Sequence, residues 1–207
     1  MRQETLLKII GLMRKNMDLG LTISHVSKLL KIGYAPAYNH ISEMEKEEII
    51  KVLKIGNSKQ CKLNLENTKT RHLLQEIDIK RKEDLYSKNP KIKSAIESLI
   101  SKLAEKYISE LLSVVLFGSY AKGTANKQSD IDLMFIVSDF KDKNLRESIE
   151  RECASLQYSH NIKISPLITN IEEFKKMLKS KDLNVGKEIK EFGISLYGHE
   201  LFWRVIV

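Results

Sequence analysis

Apolar residues recur along the chain first at helical and then at strand spacing. Over residues 3–15 they fall at Leu6, Ile9, Ile10 and Met13, with Met17 beyond, the three-to-four spacing of an amphipathic helix. Thr22 offers an N-cap hydroxyl to a second helix, whose Ile23, Val26, Leu29 and Leu30 are expected to face inward. Gly33 predicts a sharp turn, and a third helix over residues 35–47 carries Ala37, Ile41 and Met44 as its apolar stripe. The period then shortens to that of two strands, 49–55 and 60–65, joined by a Gly56-Asn57 turn.

Residues 68–88 read as a charged connecting helix with a thin seam of Leu73, Leu74, Ile77 and Leu85, and Asn89-Pro90 marks a boundary. After a helix over 92–108, "SVVLF" at 113–117 is a short run of the kind buried in a sheet. Residues 130–137 alternate Asp130, Asp132, Met134 and Ile136 with Ile131, Leu133, Phe135 and Val137. Both faces are apolar beyond Asp132, which predicts a central strand. A helix over 142–158, a strand over 161–169 and helices over 174–178 and 185–192 follow, with Asn170 and Glu173 spaced as a capping box. A strand over 194–197 precedes an apolar end of Phe202, Trp203, Val205, Ile206 and Val207, expected to pack on this part of the chain or on a second subunit.

Length bounds the picture further. With 207 residues, 42% of them hydrophobic, the chain can build one or two cores without disulfides or structural metal. It contains no apolar run of membrane-spanning length, and the charges scattered through its first residues argue against a secretory signal, so a cytoplasmic protein is expected. Cys61 and Cys153 are expected to be reduced thiols, and the five histidines share no ligand spacing. Residues 1–90 hold 17 Lys and Arg against 11 Asp and Glu, whereas residues 91–207 hold 18 against 16, so the basic excess lies in the first part. That distribution suggests a polyanion partner for it.

Three helices and a hairpin over residues 3–66 resemble the winged helix-turn-helix fold. The resemblance implies a third helix in the DNA major groove and a wing against the backbone. The candidate contacts are Tyr34, Tyr38, Asn39, Ser42 and Lys46, with Asn57, Lys59 and Lys62 on the wing. Glu43, Glu45, Glu47 and Glu48 on or just after that helix oppose such a role, and a docking or dimerising module is the alternative.

The chemistry lies in "LFGSYAKGTANKQSDIDLMFIV". Gly118-Ser119 ends an apolar strand just as a helical turn begins, where backbone N–H groups, the Ser119 hydroxyl and Lys122 could meet phosphate oxygens. Asp130 and Asp132 share one strand face and repel each other, for which a hard divalent cation is the usual remedy. A Gly-Ser pair, ten residues and then Asp-Ile-Asp, between apolar strands, resembles the DNA polymerase beta-type nucleotidyltransferases, in particular the minimal prokaryotic ones.

That resemblance implies a nucleoside triphosphate, ATP in the first instance, held by Gly118 and Ser119, with Lys122 and Ser129 nearby. It also implies Mg2+ on Asp130 and Asp132 as catalytic residues. Because some minimal nucleotidyltransferases are antitoxins that adenylylate a partner toxin, a toxin is an expected acceptor. Active relatives carry a third carboxylate on the following strand, yet the face residues here are Lys163, Ser165 and Leu167.

The expected architecture is α+β. A winged helix-turn-helix domain at 1–66 and a helical linker at 67–90 precede a nucleotidyltransferase domain at 91–207, with a small mixed sheet flanked by helices. The expected function is Mg2+-dependent transfer of a nucleotidyl group to a protein or nucleic-acid hydroxyl, coupled to DNA binding, with a homodimer as a possible assembly. The alternative is a transcriptional regulator that binds nucleotide but is catalytically impaired.

Overall fold

In the computed structural model, which describes residues 3–55, 58–139, 141–180, 182 and 184–206, the chain divides into two units, residues 1–77 and 78–206. The predicted Gly56-Asn57 turn and Val207 lie outside the described residues.

The first unit runs α1 (Gln3–Arg14), β1 (Leu21–Thr22), α2 (Ile23–Leu30), α3 (Tyr34–Lys46), β2 (Ile50–Ile55) and β3 (Ser58–Leu63). Its sheet has the order β1-β3-β2 and is antiparallel throughout. The Thr22 hydroxyl accepts the His25 N–H at 3.2 Å, so the predicted cap forms. Ile9, Ile10, Val26, Ala37, Ile41, Met44, Ile49 and Cys61 are fully buried or nearly so.

Two expectations fail here. Leu29 is 54% exposed, because α2 is only eight residues long and buries just Ile23 and Val26. The reversal after α2 is made by Lys31 in the left-handed region (φ 55°), whereas Gly33, at φ −62°, is the N-cap of α3. The two-residue β1 has no counterpart in the predicted elements.

Helix α4 (Thr68–Lys88) begins in the first unit, where the Thr70 hydroxyl donates to the Ile49 carbonyl at 3.1 Å. From Asp78 onward it belongs to the second. The division therefore falls within this helix, and Asn89-Pro90 marks only the joint between α4 and α5 (Pro90–Lys106).

The second unit continues with β4 (Leu111–Phe117), α6 (Gly118–Lys122), β5 (Ile131–Val137), α7 (Lys143–His160), β6 (Ile164–Asn170), α8 (Ile171–Lys179), α9 (Val185–Phe192), β7 (Ile194–Tyr197) and α10 (His199–Val205). The sheet order is β6-β5-β4-β7, with β5 and β6 parallel and the other pairs antiparallel. It is the small mixed sheet expected, with β5 central.

The two faces of β5 serve different cores. Ile131, Leu133, Phe135 and Val137 pack with Ile96 and Leu99 of α5 and with Leu145, Ile149 and Cys153 of α7. Helices α8 and α9 lie against the sheet at β5 and β4, and α10 against β4. The apolar end of the chain is this last helix, unforeseen as an element. Trp203 is fully buried, edge-to-face with Phe202 at 5.0 Å, and its indole N–H donates to Asp78 Oδ2 at 3.1 Å.

Candidate functional site

The site grows out of the β4–α6 junction and the start of β5. Antiparallel pairing sets Phe117 opposite Asp132, so the turn into α6 begins beside that carboxylate. Gly118 has φ +68°, and a Cβ there would overlap the Asp132 carboxylate, so only glycine allows the approach. Gly123, at φ +75°, caps the far end of α6 and returns the chain toward Asp130.

Parallel pairing sets Ser165 of β6 beside Asp132 and Ile164 beside Ile131. The Ile131 N–H donates to the Lys163 carbonyl at 2.9 Å, which fixes Lys163 next to Asp130 at the sheet's end. Lys163 Nζ lies 2.6 Å from Asp130 Oδ2, and the Ser165 hydroxyl donates to the same oxygen at 3.3 Å. The strand expected to supply a third acid thus supplies an ammonium and a hydroxyl.

A carboxylate does enter from elsewhere. Glu188 of α9 accepts the Gly118 N–H on Oε1 at 3.1 Å, and the same oxygen lies 3.0 Å from Lys122 Nζ. Sequence reading missed this residue, since nothing local to α9 distinguishes Glu188 from its charged neighbours. Asp132 registers its presence. Burial, then Asp130, then Glu188 push the Asp132 carboxyl above the ordinary carboxylate range, and Lys122 opposes them. Among the described residues no group of three or more His, Cys, Asp or Glu side chains could hold a metal ion, and what the site offers a cation is the two carboxylates of Asp130 and Asp132.

Of the other predicted site residues, Lys122 is drawn in through Glu188, and its Nζ also lies 5.8 Å from the Phe192 ring centroid. Ser119 sits in α6 directly after Gly118. The Ser129 hydroxyl accepts the Asn126 N–H at 2.9 Å and so shapes the loop that delivers Asp130.

In the first unit, Tyr34, Tyr38, Asn39 and Lys46 are exposed on α3 and Ser42 is half-buried. Lys59 of β3 lies over the Tyr38 ring at 6.0 Å, which brings strand and helix candidates to one surface. Lys62 is instead tied to the Asp18 carbonyl at 2.7 Å. Asn57 lies outside the described residues.

Residues 96–189 match the family model described as a nucleotidyltransferase domain. A Methanocaldococcus jannaschii protein named as a protein adenylyltransferase is 29% identical over 115 residues, spanning 55% of this chain and 76% of the relative. Protein adenylyltransferase MntA of Shewanella oneidensis is 37% identical over 59 residues, 28% of this chain and 42% of its own length. Among solved structures, a toxin–antitoxin with AMP-PNP is similar over 53% of this chain and 83% of that one, at 26% identity and a TM-score of 0.37.

Proposed function

We propose, from the match of residues 96–189 to a nucleotidyltransferase domain, that this chain moves AMP from ATP to a hydroxyl group on a partner protein. The protein acceptor is inferred from similar proteins named as protein adenylyltransferases, with a nucleic-acid hydroxyl as the second class. The observation that carries the reading is the Gly118 turn pressed against Asp132, with Lys122 alongside.

In this reading the Gly118 N–H, the Ser119 hydroxyl and Lys122 hold the triphosphate, and a phosphate oxygen exchanges with the Glu188 carboxylate that bridges two of these donors. Asp130 and Asp132 fit a hard divalent cation, being two carboxylates on one face, one of which resists ionisation. Bound there, Mg2+ would polarise the α-phosphate and offset the charge of the leaving pyrophosphate. The acceptor oxygen forms its bond to the α-phosphorus in line as the bond to the bridging β-phosphate oxygen breaks. The hydroxyl proton passes to solvent water as pyrophosphate departs.

For residues 1–66 we infer a winged helix-turn-helix domain, joined through 67–90 to the nucleotidyltransferase domain at 91–207. The order α1-β1-α2-α3-β2-β3 and the β1-β3-β2 sheet support it. Tyr34, Tyr38, Asn39, Ser42, Lys46, Lys59 and Lys62 are its candidate DNA contacts.

One observation favours a second reading, in which the chain is a DNA-binding regulator that senses nucleotide without turning it over. That observation is that the entrance to β6, where a third acid is expected, carries Lys163 against Asp130 and then Ser165. Incubation with labelled ATP, Mg2+ and an acceptor, a partner toxin first, separates the two. Transfer that disappears in the Asp130→Ala, Asp132→Ala double variant supports the enzyme. Binding of ATP without transfer to any acceptor supports the sensor.

A further inference from the structure

Nucleotidyl transfer places positive charge around the α-phosphate and the leaving group, commonly as two divalent ions held by shared acids. Here the acids and cations are arranged differently. Asp130 Oδ2 already takes the Lys163 ammonium at 2.6 Å and the Ser165 hydroxyl at 3.3 Å. The backbone bond from Ile131 N–H to the Lys163 carbonyl, at 2.9 Å, sets the residue beside Asp130, and its side chain, 59% exposed, reaches back to that carboxylate. Parallel register sets Ser165, not an acid, beside Asp132.

A second divalent ion at this end of the sheet would therefore meet no third carboxylate among the described residues and would face an ammonium of like charge. The carboxylate that does enter, Glu188, is engaged with the Gly118 N–H and Lys122 on the opposite flank.

We propose that Lys163 is a built-in cation that replaces one of the two metal ions, so that the site takes a single divalent ion centred on Asp132. Lys163 is then a positioning residue, holding Asp130 in place and setting the metal count. This rests on the nucleotidyltransferase reading of the same site, and the test keeps the two apart.

The measurement is Mn2+ titration of the full chain, saturated with a non-hydrolysable ATP analogue, followed by electron paramagnetic resonance of the free ion. The intact chain and Lys163→Arg should each bind about one ion, and Lys163→Glu, which places an acid at the entrance to β6, about two. Lys163→Gln should bind its first ion roughly 10-fold more tightly, because Asp130 is released to the metal. Two ions on the intact chain, or an unchanged count in Lys163→Glu together with unchanged affinity in Lys163→Gln, would overturn the inference alone. Failure of the intact chain to bind Mn2+ or the nucleotide analogue would overturn the nucleotidyltransferase reading along with it.

Discussion

Gly118 and Asp132 share a space that admits no further atom. An added methyl at Gly118 meets the Asp132 carboxylate, and the backbone sits at φ +68°, where an L side chain is strained. Gly118→Ala should cost about 1–3 kcal/mol of stability. It should also slow nucleotidyl transfer by about 10²-fold, since displacing the Asp132 carboxylate by an ångström would misalign the groups proposed to hold the reacting atoms. Urea melts and initial rates report the two effects separately.

Asp132 carries a second expectation, in pH. Its carboxyl is held above its ordinary value by burial first, then by Asp130 and Glu188. The folded protein therefore holds this proton to higher pH than the unfolded chain does. The stability associated with the protonated form is complete below the unfolded pKa and is lost as pH rises through the folded one. Asp132→Asn removes the loss, so without metal the variant should melt higher than the intact chain at neutral pH, and the gain should vanish in acid. Thermal melts across pH with a chelator present check this. A gain of equal size at all pH values would show that the Asp132 carboxyl is not raised in the fold.

Elements bring these residues together, and the element responsible for much of the site's shape is not one that the motif contains. Arg81, in α4, donates to the carbonyls of Ala121 at 2.9 Å, Phe192 at 2.7 Å and Gly193 at 3.1 Å. One guanidinium thus closes the C-terminal ends of α6, which carries Gly118 and Lys122, and of α9, which carries Glu188. Arg81→Gln should lower stability by about 1.5–3 kcal/mol. It should raise the KM for nucleotide as the two helices lose their common anchor, and Arg81→Lys should restore only part, since an ammonium donates from a single nitrogen and lacks the two separated terminal nitrogens that Arg81 uses.

The contrast between Asp130 and Glu188 explains how much could be read from the sequence. Asp130 and Asp132 were legible because strand periodicity and a Gly-Ser turn lie within about twenty residues of one another. Thr22, Asp142 and Asn170 were legible as helix boundaries because a cap acts on the next turn, and each accepts the N–H of a residue three positions on. Glu188 and Arg81 reach the site only through tertiary packing, over separations of 70 residues to Gly118 and 40 to Ala121, which no local pattern encodes. Helix α10 was missed because it is only seven residues long and, from Phe202 to Ile206, only Arg204 is exposed, which leaves too little polar face for a helical period to show.

At the scale of the whole chain, charge is unevenly shared, and that asymmetry gives the first unit a testable role. Residues 1–90 hold 17 Lys and Arg against 11 Asp and Glu. The face proposed to meet DNA is poorer in cations than that count suggests. Glu43, Glu45 and Glu47 are exposed along or just after α3, although Glu47 is paired with Lys69 at 2.6 Å. Lys62 is committed to the Asp18 carbonyl. Lys46 and Lys59 are the exposed cations among the candidates, beside the exposed Tyr34 and Tyr38. Each neutralised phosphate contributes about −0.9 to the slope of log K against log salt, so a face with two or three such contacts predicts a shallow slope of roughly −2 to −3. Lys59→Ala should weaken duplex binding similarly for all sequences and reduce the slope by about 1, whereas Asn39→Ala should weaken binding with the slope unchanged. Fluorescence anisotropy on a labelled duplex, titrated from low to physiological salt, measures all three chains. Absence of binding even at the lowest salt would remove DNA as the partner and leave the exposed tyrosines of α3 to a protein surface.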